Sequence, residues 1–233
     1  IAGGPGVSVS YLQGIGDQSI RDDLIFYHQI GTPECHIDFM SLEQMIDQIN
    51  SEINNTGLQS VGIITHSFGN YLFMRYVEKY GADNIRDVIM ISPCPLLYSE
   101  WREALRCIVQ SIPPLVIEKY HRMKDDSGDG VALFQLIYPY YTAHCDQLKI
   151  DVMFNAQECE RISGEVDPYD HRCLFEKFKC PVTMIAGDQD PFFKHNAERD
   201  SEVYLIPGVG HYPHLENKAL FSRIFHEVVS EDV

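Results

Sequence analysis

Three residue types set far apart in this chain could together perform acyl-transfer chemistry: a serine, an acid and a histidine. Ser67 lies in Thr65-His66-Ser67-Phe68-Gly69, directly behind the apolar run Val61-Gly62-Ile63-Ile64 and ahead of a helical pattern that starts near Tyr71. That order spells a strand, a sharp turn and a helix, the geometry that lifts a serine hydroxyl above a parallel sheet. The turn crowds its flanks, so the positions two before and two after the serine must be small. Gly69 meets that demand and Thr65 meets it in part. The bland alternative is that Ser67 only caps a helix.

The acid and the base come late in the chain. Met184-Ile185-Ala186-Gly187 reads as a buried strand that runs into an acidic loop holding Asp188 and Asp190. Val203-Tyr204-Leu205-Ile206 reads as another, followed by Pro207-Gly208-Val209-Gly210-His211. Strand ends along one edge of a parallel sheet converge, so such residues can meet. A serine is a poor nucleophile unless a histidine takes its proton, and the histidine needs an acid on its other nitrogen. The residues alone leave both aspartates open. His211 has a competitor in His214, but the Gly-x-Gly-His setting favours His211. As a metal pair the two lack further ligands nearby, so neither metal nor cofactor is expected. At the other end, Gly3-Gly4-Pro5-Gly6 is a turn that could aim the Gly4 N–H at a developing oxyanion, together with the N–H of Phe68. Such donors typically contribute about 3–4 kcal/mol each in the transition state.

With these segments in view, the chain resembles the α/β-hydrolase superfamily, which includes proline iminopeptidases, esterases, epoxide hydrolases and C–C bond hydrolases. Gly3-Gly4-Pro5-Gly6 is similar to the His-Gly-Gly-Pro-Gly of the proline iminopeptidase branch, with Ala2 in place of the histidine. Phe26-Tyr27-His28-Gln29-Ile30-Gly31 is similar to that branch's next strand and turn, Asp-Gln-x-Gly, with His28 replacing the aspartate. The run from Gly208 to Asn217 resembles the superfamily's histidine loop and following helix. The likeness covers nearly the whole length apart from a middle insertion. It implies that the acid is Asp190, because the superfamily places it three residues after the glycine, and that His66 is structural. His28, His144 and His171 are read as surface or core histidines.

The remaining pattern fits that scaffold. Leu24-Ile25-Phe26-Tyr27 reads as a strand buried on both faces, and Asp87-Val88-Ile89-Met90-Ile91 reads as a further strand. Ser41 and Gln44 have capping-box spacing ahead of a helix over 41–54. Further helices are predicted over 68–80 and 215–229. This alternation predicts an α/β fold, a doubly wound, mostly parallel sheet. Between Ile91 and Pro181 the strand signals stop and helical stretches appear over 100–110, 114–123 and 131–138, broken by a polar loop over 124–130. The resemblance makes this a helical cap, 95–177, inserted in an α/β-hydrolase core of 1–94 and 178–233. Trp101, Phe134, Tyr138 and Tyr141, with Tyr140, could line a substrate pocket beneath it, or could simply be core. Ile1 reads as the end of a strand. Such hydrolases carry two or three strands before this turn, so upstream residues are expected to complete the sheet.

Composition narrows the partners. At 233 residues and 45% hydrophobic content the chain can bury one large core. No apolar stretch reaches the ~20 residues that span a bilayer. A net charge of -16 opposes binding to nucleic acid, anionic membrane surfaces and highly acidic substrates. Seven cysteines, an odd number at no metal-ligand spacing, fit a reducing compartment, and a cytoplasmic location is expected. The expected partner is a small-molecule or short-peptide substrate; the oligomeric state is left open. The expected function is a serine hydrolase acting on a small ester, an amide or an N-terminal proline-type aminoacyl group. A C–C bond hydrolase or lyase, or a non-catalytic small-molecule binder, are the alternatives on the same scaffold. Pro191 and Phe68 depart from the acidic residue and the tryptophan often found there in the iminopeptidase branch.

Overall fold

The apolar runs that precede the candidate residues pair into one parallel sheet. The computed structural model describes residues 1–16, 24–35, 41–126, 129–143, 150–175, 178–193 and 202–231. Along the chain lie α1 (Leu42–Asn55), β1 (Val61–His66), α2 (Phe68–Tyr80) and β2 (Ile85–Ile91). Among the described residues there follow α3 (Tyr98–Ser111), α4 (Pro114–Asp126), α5 (Gly130–Ile137), α6 (Ala156–Glu165) and α7 (Arg172–Phe175). The chain then returns to the sheet as β3 (Val182–Gly187) and β4 (Glu202–Ile206), and closes with α8 (Pro213–Glu216) and α9 (Lys218–Glu231).

The strands lie in the order β1-β2-β3-β4, all parallel. His66 pairs with Ile91, Ile91 with Ile185 and Gly187 with Ile206, so β1 and β2 end level, β3 and β4 end level two residues further on, and all four finish at one rim. That register carries Ser67, Asp190 and His211 to the same edge. Side chains alternate between faces with period two. Ile63, Val88, Met90, Met184 and Ala186 pack with α1 and α2, while Ile89, Ile91, Ile185 and Ile206 pack with α9 and the N-terminal segment. Both faces of β1 to β3 are therefore covered, as a parallel sheet requires, while the edge strand β4 is largely exposed among the described residues.

Local chemistry sets the helix ends. The Ser41 hydroxyl accepts from the Gln44 N–H, and the Gln44 side chain accepts from the Ser41 N–H. The single closing helix expected over 215–229 is in fact two. Asn217 leaves the helical conformation at φ -138°, ψ 68°, and its side chain accepts the Leu220 N–H at 3.2 Å, acting as a cap for α9.

One expected strand is absent. Residues Leu24–Tyr27 form no ladder, and Ile25 is 69% exposed. A strand exists only where its N–H and C=O groups find a neighbour. On this side of β1 the only pairing among the described residues comes from Ile1, whose carbonyl accepts the His66 N–H at 3.0 Å. A cavity of about 450 Å³, lined by Leu24, Phe26, Ile63 and Ile64 among others, lies where such a neighbour would stand.

Candidate active site

Ser67 occupies the sharp turn between β1 and α2 with φ 53° and ψ -122°, a left-handed conformation for a residue other than glycine. Backbone held there costs of order 1–3 kcal/mol and persists where packing enforces it. The packing is tight: a Cβ at Gly69 would lie 2.5 Å from the carbonyl oxygens of Ile1 and Ala2. Thr65, the larger residue tolerated on the other flank, is fully buried. The Ser67 side chain caps no helix N–H; its Oγ stands 2.7 Å from His211 Nε2 instead.

The His211 ring is held from both ends. Its Nδ1 lies 3.0 and 3.1 Å from the two oxygens of Asp190, which is wholly buried and also accepts the Phe192 N–H at 2.9 Å. A carboxylate only accepts, so Nδ1 carries the proton and Nε2 is left to accept from the Ser67 hydroxyl. The backbone is fixed by Glu216, whose carboxylate accepts the N–H groups of Gly210, Tyr212 and Ala143 at 2.9–3.0 Å. The His211 N–H donates to the Tyr141 carbonyl.

The competing residues do other things. Asp188 is exposed and accepts the Gly208 N–H at 2.7 Å, pinning the exit from β4. His214 is buried among the rings of Tyr11, His66 and Phe221, where desolvation pushes its pKa down to about 3. His171 stacks on Tyr71 and Tyr169, and His28 is exposed. His144 lies outside the described residues. No three His, Cys, Asp or Glu side chains among the described residues are grouped to hold a metal ion.

Above Ser67 is a cavity of about 140 Å³. Gly4 and Phe68 border it, and their N–H groups donate to nothing among the described residues, whereas the Gly3 N–H is taken by the Tyr11 hydroxyl. Trp101, Phe134, Tyr138 and Tyr141 all line it; the first three are also buried in the apolar interior. Tyr140 is not in the lining. No Asp, Glu, Lys or Arg side chain faces the cavity among the described residues. Phe192 and Cys94 line it too, and sequence reasoning singled out neither. Phe192 sits two residues after Asp190, so the acid's position was a signal for it; nothing in the sequence marks Cys94. The Cys94 Sγ lies 4.0 Å from Ser67 Oγ, and burial pushes its thiol up to about 12, so it stays protonated.

Solved structures share this architecture at low sequence identity. A proline iminopeptidase from Mycobacterium smegmatis aligns over 100% of this chain and 88% of its own, with a TM-score of 0.68 and 16% identity. A thermophilic esterase from Thermogutta terrifontis aligns over 99% and 88%, with a TM-score of 0.63 and 17% identity. A bromoperoxidase from Bacillus anthracis aligns over 86% and 80%, with a TM-score of 0.59 and 19% identity. No family model and no curated protein matches the sequence. The chain has the α/β-hydrolase fold, a mostly parallel open sheet with flanking helices. Three differently named proteins on one scaffold leave the reaction to be argued from the site.

Proposed function

We propose that this chain is a serine hydrolase in which Ser67 is the nucleophile, His211 the general base and then acid, and Asp190 the group that fixes the imidazole. The observation that carries this reading is the continuous hydrogen-bonded series from Asp190 through His211 to Ser67. Ser67 Oγ attacks a carbonyl carbon while His211 Nε2 takes its proton. The N–H groups of Gly4 and Phe68 receive the oxyanion. Collapse expels the leaving group, which takes the proton back from His211, and water then repeats the sequence on the acyl-enzyme.

The substrate we favour is a small, uncharged ester. A free N-terminal amine needs a carboxylate in the pocket, and the lining offers aromatic and aliphatic groups instead. Residues 95–177 act in this reading as a cap, with α3 and α5 supplying Trp101 and Phe134 as walls that keep water from the reacting carbonyl. A fluorophosphonate probe is expected to label the wild-type protein and not Ser67→Ala. Short p-nitrophenyl esters are expected to turn over much faster than proline naphthylamide. Equal labelling of both proteins would overturn the nucleophile, and the reverse substrate order would overturn the ester assignment.

A further inference from the structure

Two buried polar side chains, Tyr11 and His66, touch the machinery without taking part in the steps above. Tyr11 lies on a short 3-10 turn, Val9–Leu12, and is 6% exposed; His66 ends β1 and is 1% exposed. The Tyr11 hydroxyl lies 2.7 Å from the Gly3 nitrogen and 2.8 Å from His66 Nδ1. His66 Nε2 lies 3.0 Å from the His211 carbonyl oxygen.

The direction of every bond in this series follows from donor inventory. Desolvation, reinforced by neighbouring His211 and His214, holds the His66 pKa well below its ordinary value, so the ring is neutral and carries one N–H. A carbonyl only accepts, which places that proton on Nε2. Nδ1 therefore accepts, and the Tyr11 O–H donates to it. The remaining lone pairs of the Tyr11 oxygen accept the Gly3 N–H. The sequence runs Gly3 N–H to Tyr11, Tyr11 O–H to His66, and His66 N–H to the backbone of His211. It joins the loop carrying Gly4, the strand end before Ser67 and the loop carrying the base. There is little slack in it: a Cβ on Gly3 would lie 2.7 Å from both His66 Nδ1 and Ser67 Cβ.

We infer that Tyr11 and His66 are positioning residues, a relay of fixed polarity that sets the Gly4 N–H and the His211 imidazole relative to Ser67. This inference rests on the serine hydrolase reading. By occupying the Gly3 N–H, the Tyr11 hydroxyl also selects Gly4 as the donor left for the oxyanion. Its effect belongs to the transition state, because the oxyanion forms only there.

The test compares wild type, Tyr11→Phe, His66→Gln and His66→Leu with a short p-nitrophenyl ester and an alkyl boronic acid, which forms a tetrahedral adduct on a serine. Tyr11→Phe is expected to lower kcat about 10–100-fold, less than the loss of an oxyanion donor itself, with KM within about twofold. The boronate inhibition constant is expected to rise by a matching factor. His66→Gln is expected to keep most of the wild-type kcat, since a glutamine amide supplies one acceptor and one donor in place of the neutral ring; His66→Leu is not. Wild-type kcat and boronate affinity in Tyr11→Phe would overturn the relay, as would a change in KM alone. If Tyr11→Phe does not fold, the glutamine and leucine variants decide: equal losses in the two folded proteins overturn it. A wild-type protein that the fluorophosphonate probe does not label overturns the hydrolase reading first, and the relay with it. Labelled wild type with an indifferent Tyr11→Phe removes the relay alone.

Discussion

Exchanging each loop acid for its amide separates two residues that composition treats as equals. In Asp190→Asn the His211 Nδ1–H loses an anionic acceptor, and the new amide can offer an N–H that favours the wrong tautomer. A fall in kcat of about 10³–10⁴-fold is expected, with folding retained. Asp188→Asn keeps an oxygen for the Gly208 N–H, so kcat is expected to stay within about threefold, as for other surface changes. Steady-state kinetics on one ester checks both, and a larger loss at Asp188 would reverse the assignment. At this scale Ser67 and His211, which the structure brings together, stand out in the sequence because each lies in a glycine-marked turn behind an apolar run. The choice between the aspartates was not legible from local residues and came from the resemblance. In the structure Asp190 points inward to an imidazole and Asp188 outward to a backbone N–H, which supports Asp190 in the proposed reading.

Elements carry the next level of control, and two of them give opposite kinds of test. Ser41 caps α1 away from the cavity, so Ser41→Ala is expected to lower stability by about 1 kcal/mol in urea unfolding and leave kcat unchanged. Trp101 on α3 does the reverse work, closing the cavity wall. Trp101→Ala is expected to shift ester preference toward longer acyl chains, read as the ratio of kcat/KM for octanoyl over acetyl esters, at a stability cost of about 3–5 kcal/mol. An unchanged ratio in the folded variant would show that the acyl group lies elsewhere. The strands β1 to β3 were legible because burial on both faces leaves a continuous apolar run, and β4, largely exposed, because its apolar run leads into a glycine-marked turn. The run at Leu24–Tyr27 carries the same signal, yet pairing is a property of two segments and a run shows only one. Asn217 was hidden for a related reason: it breaks a good amphipathic pattern by capping the next helix with its own side chain.

Across the whole molecule, three buried histidines set a dependence of stability on pH that the surface charge opposes. Desolvation leads the downward shift at each: well below the ordinary value for His66, to about 4 for His171 and to about 3 for His214. In the unfolded chain each titrates near ~6.5. Above that pH neither state binds these protons and the folded protein has its full stability. As pH falls below it the unfolded chain takes up protons that the folded one refuses, so stability drops steadily toward pH 4. Each unit of depression is worth ~1.36 kcal/mol, so His171 and His214 alone contribute a sizeable part of a typical domain's ~5–15 kcal/mol, and His66 adds in the same direction. The net charge of -16 works the other way, since approaching a pI of 4.9 relieves self-repulsion. Exposed charges are screened over ~8 Å at physiological salt, whereas the buried rings are not, so the histidines win. The lowered pKa of exposed Asp170, about 2, acts only in stronger acid and lies outside this window. The melting temperature in 0.15 M salt is therefore expected to fall by roughly 10 °C or more between pH 7 and pH 4.5, at 2–4 °C per kcal/mol for a chain of this size. His214→Phe, which keeps a ring among Tyr11, Tyr212 and Phe221, is expected to flatten that fall. A melting temperature that holds or rises down to pH 5 would mean that surface repulsion governs the molecule and that these rings are not held neutral by burial.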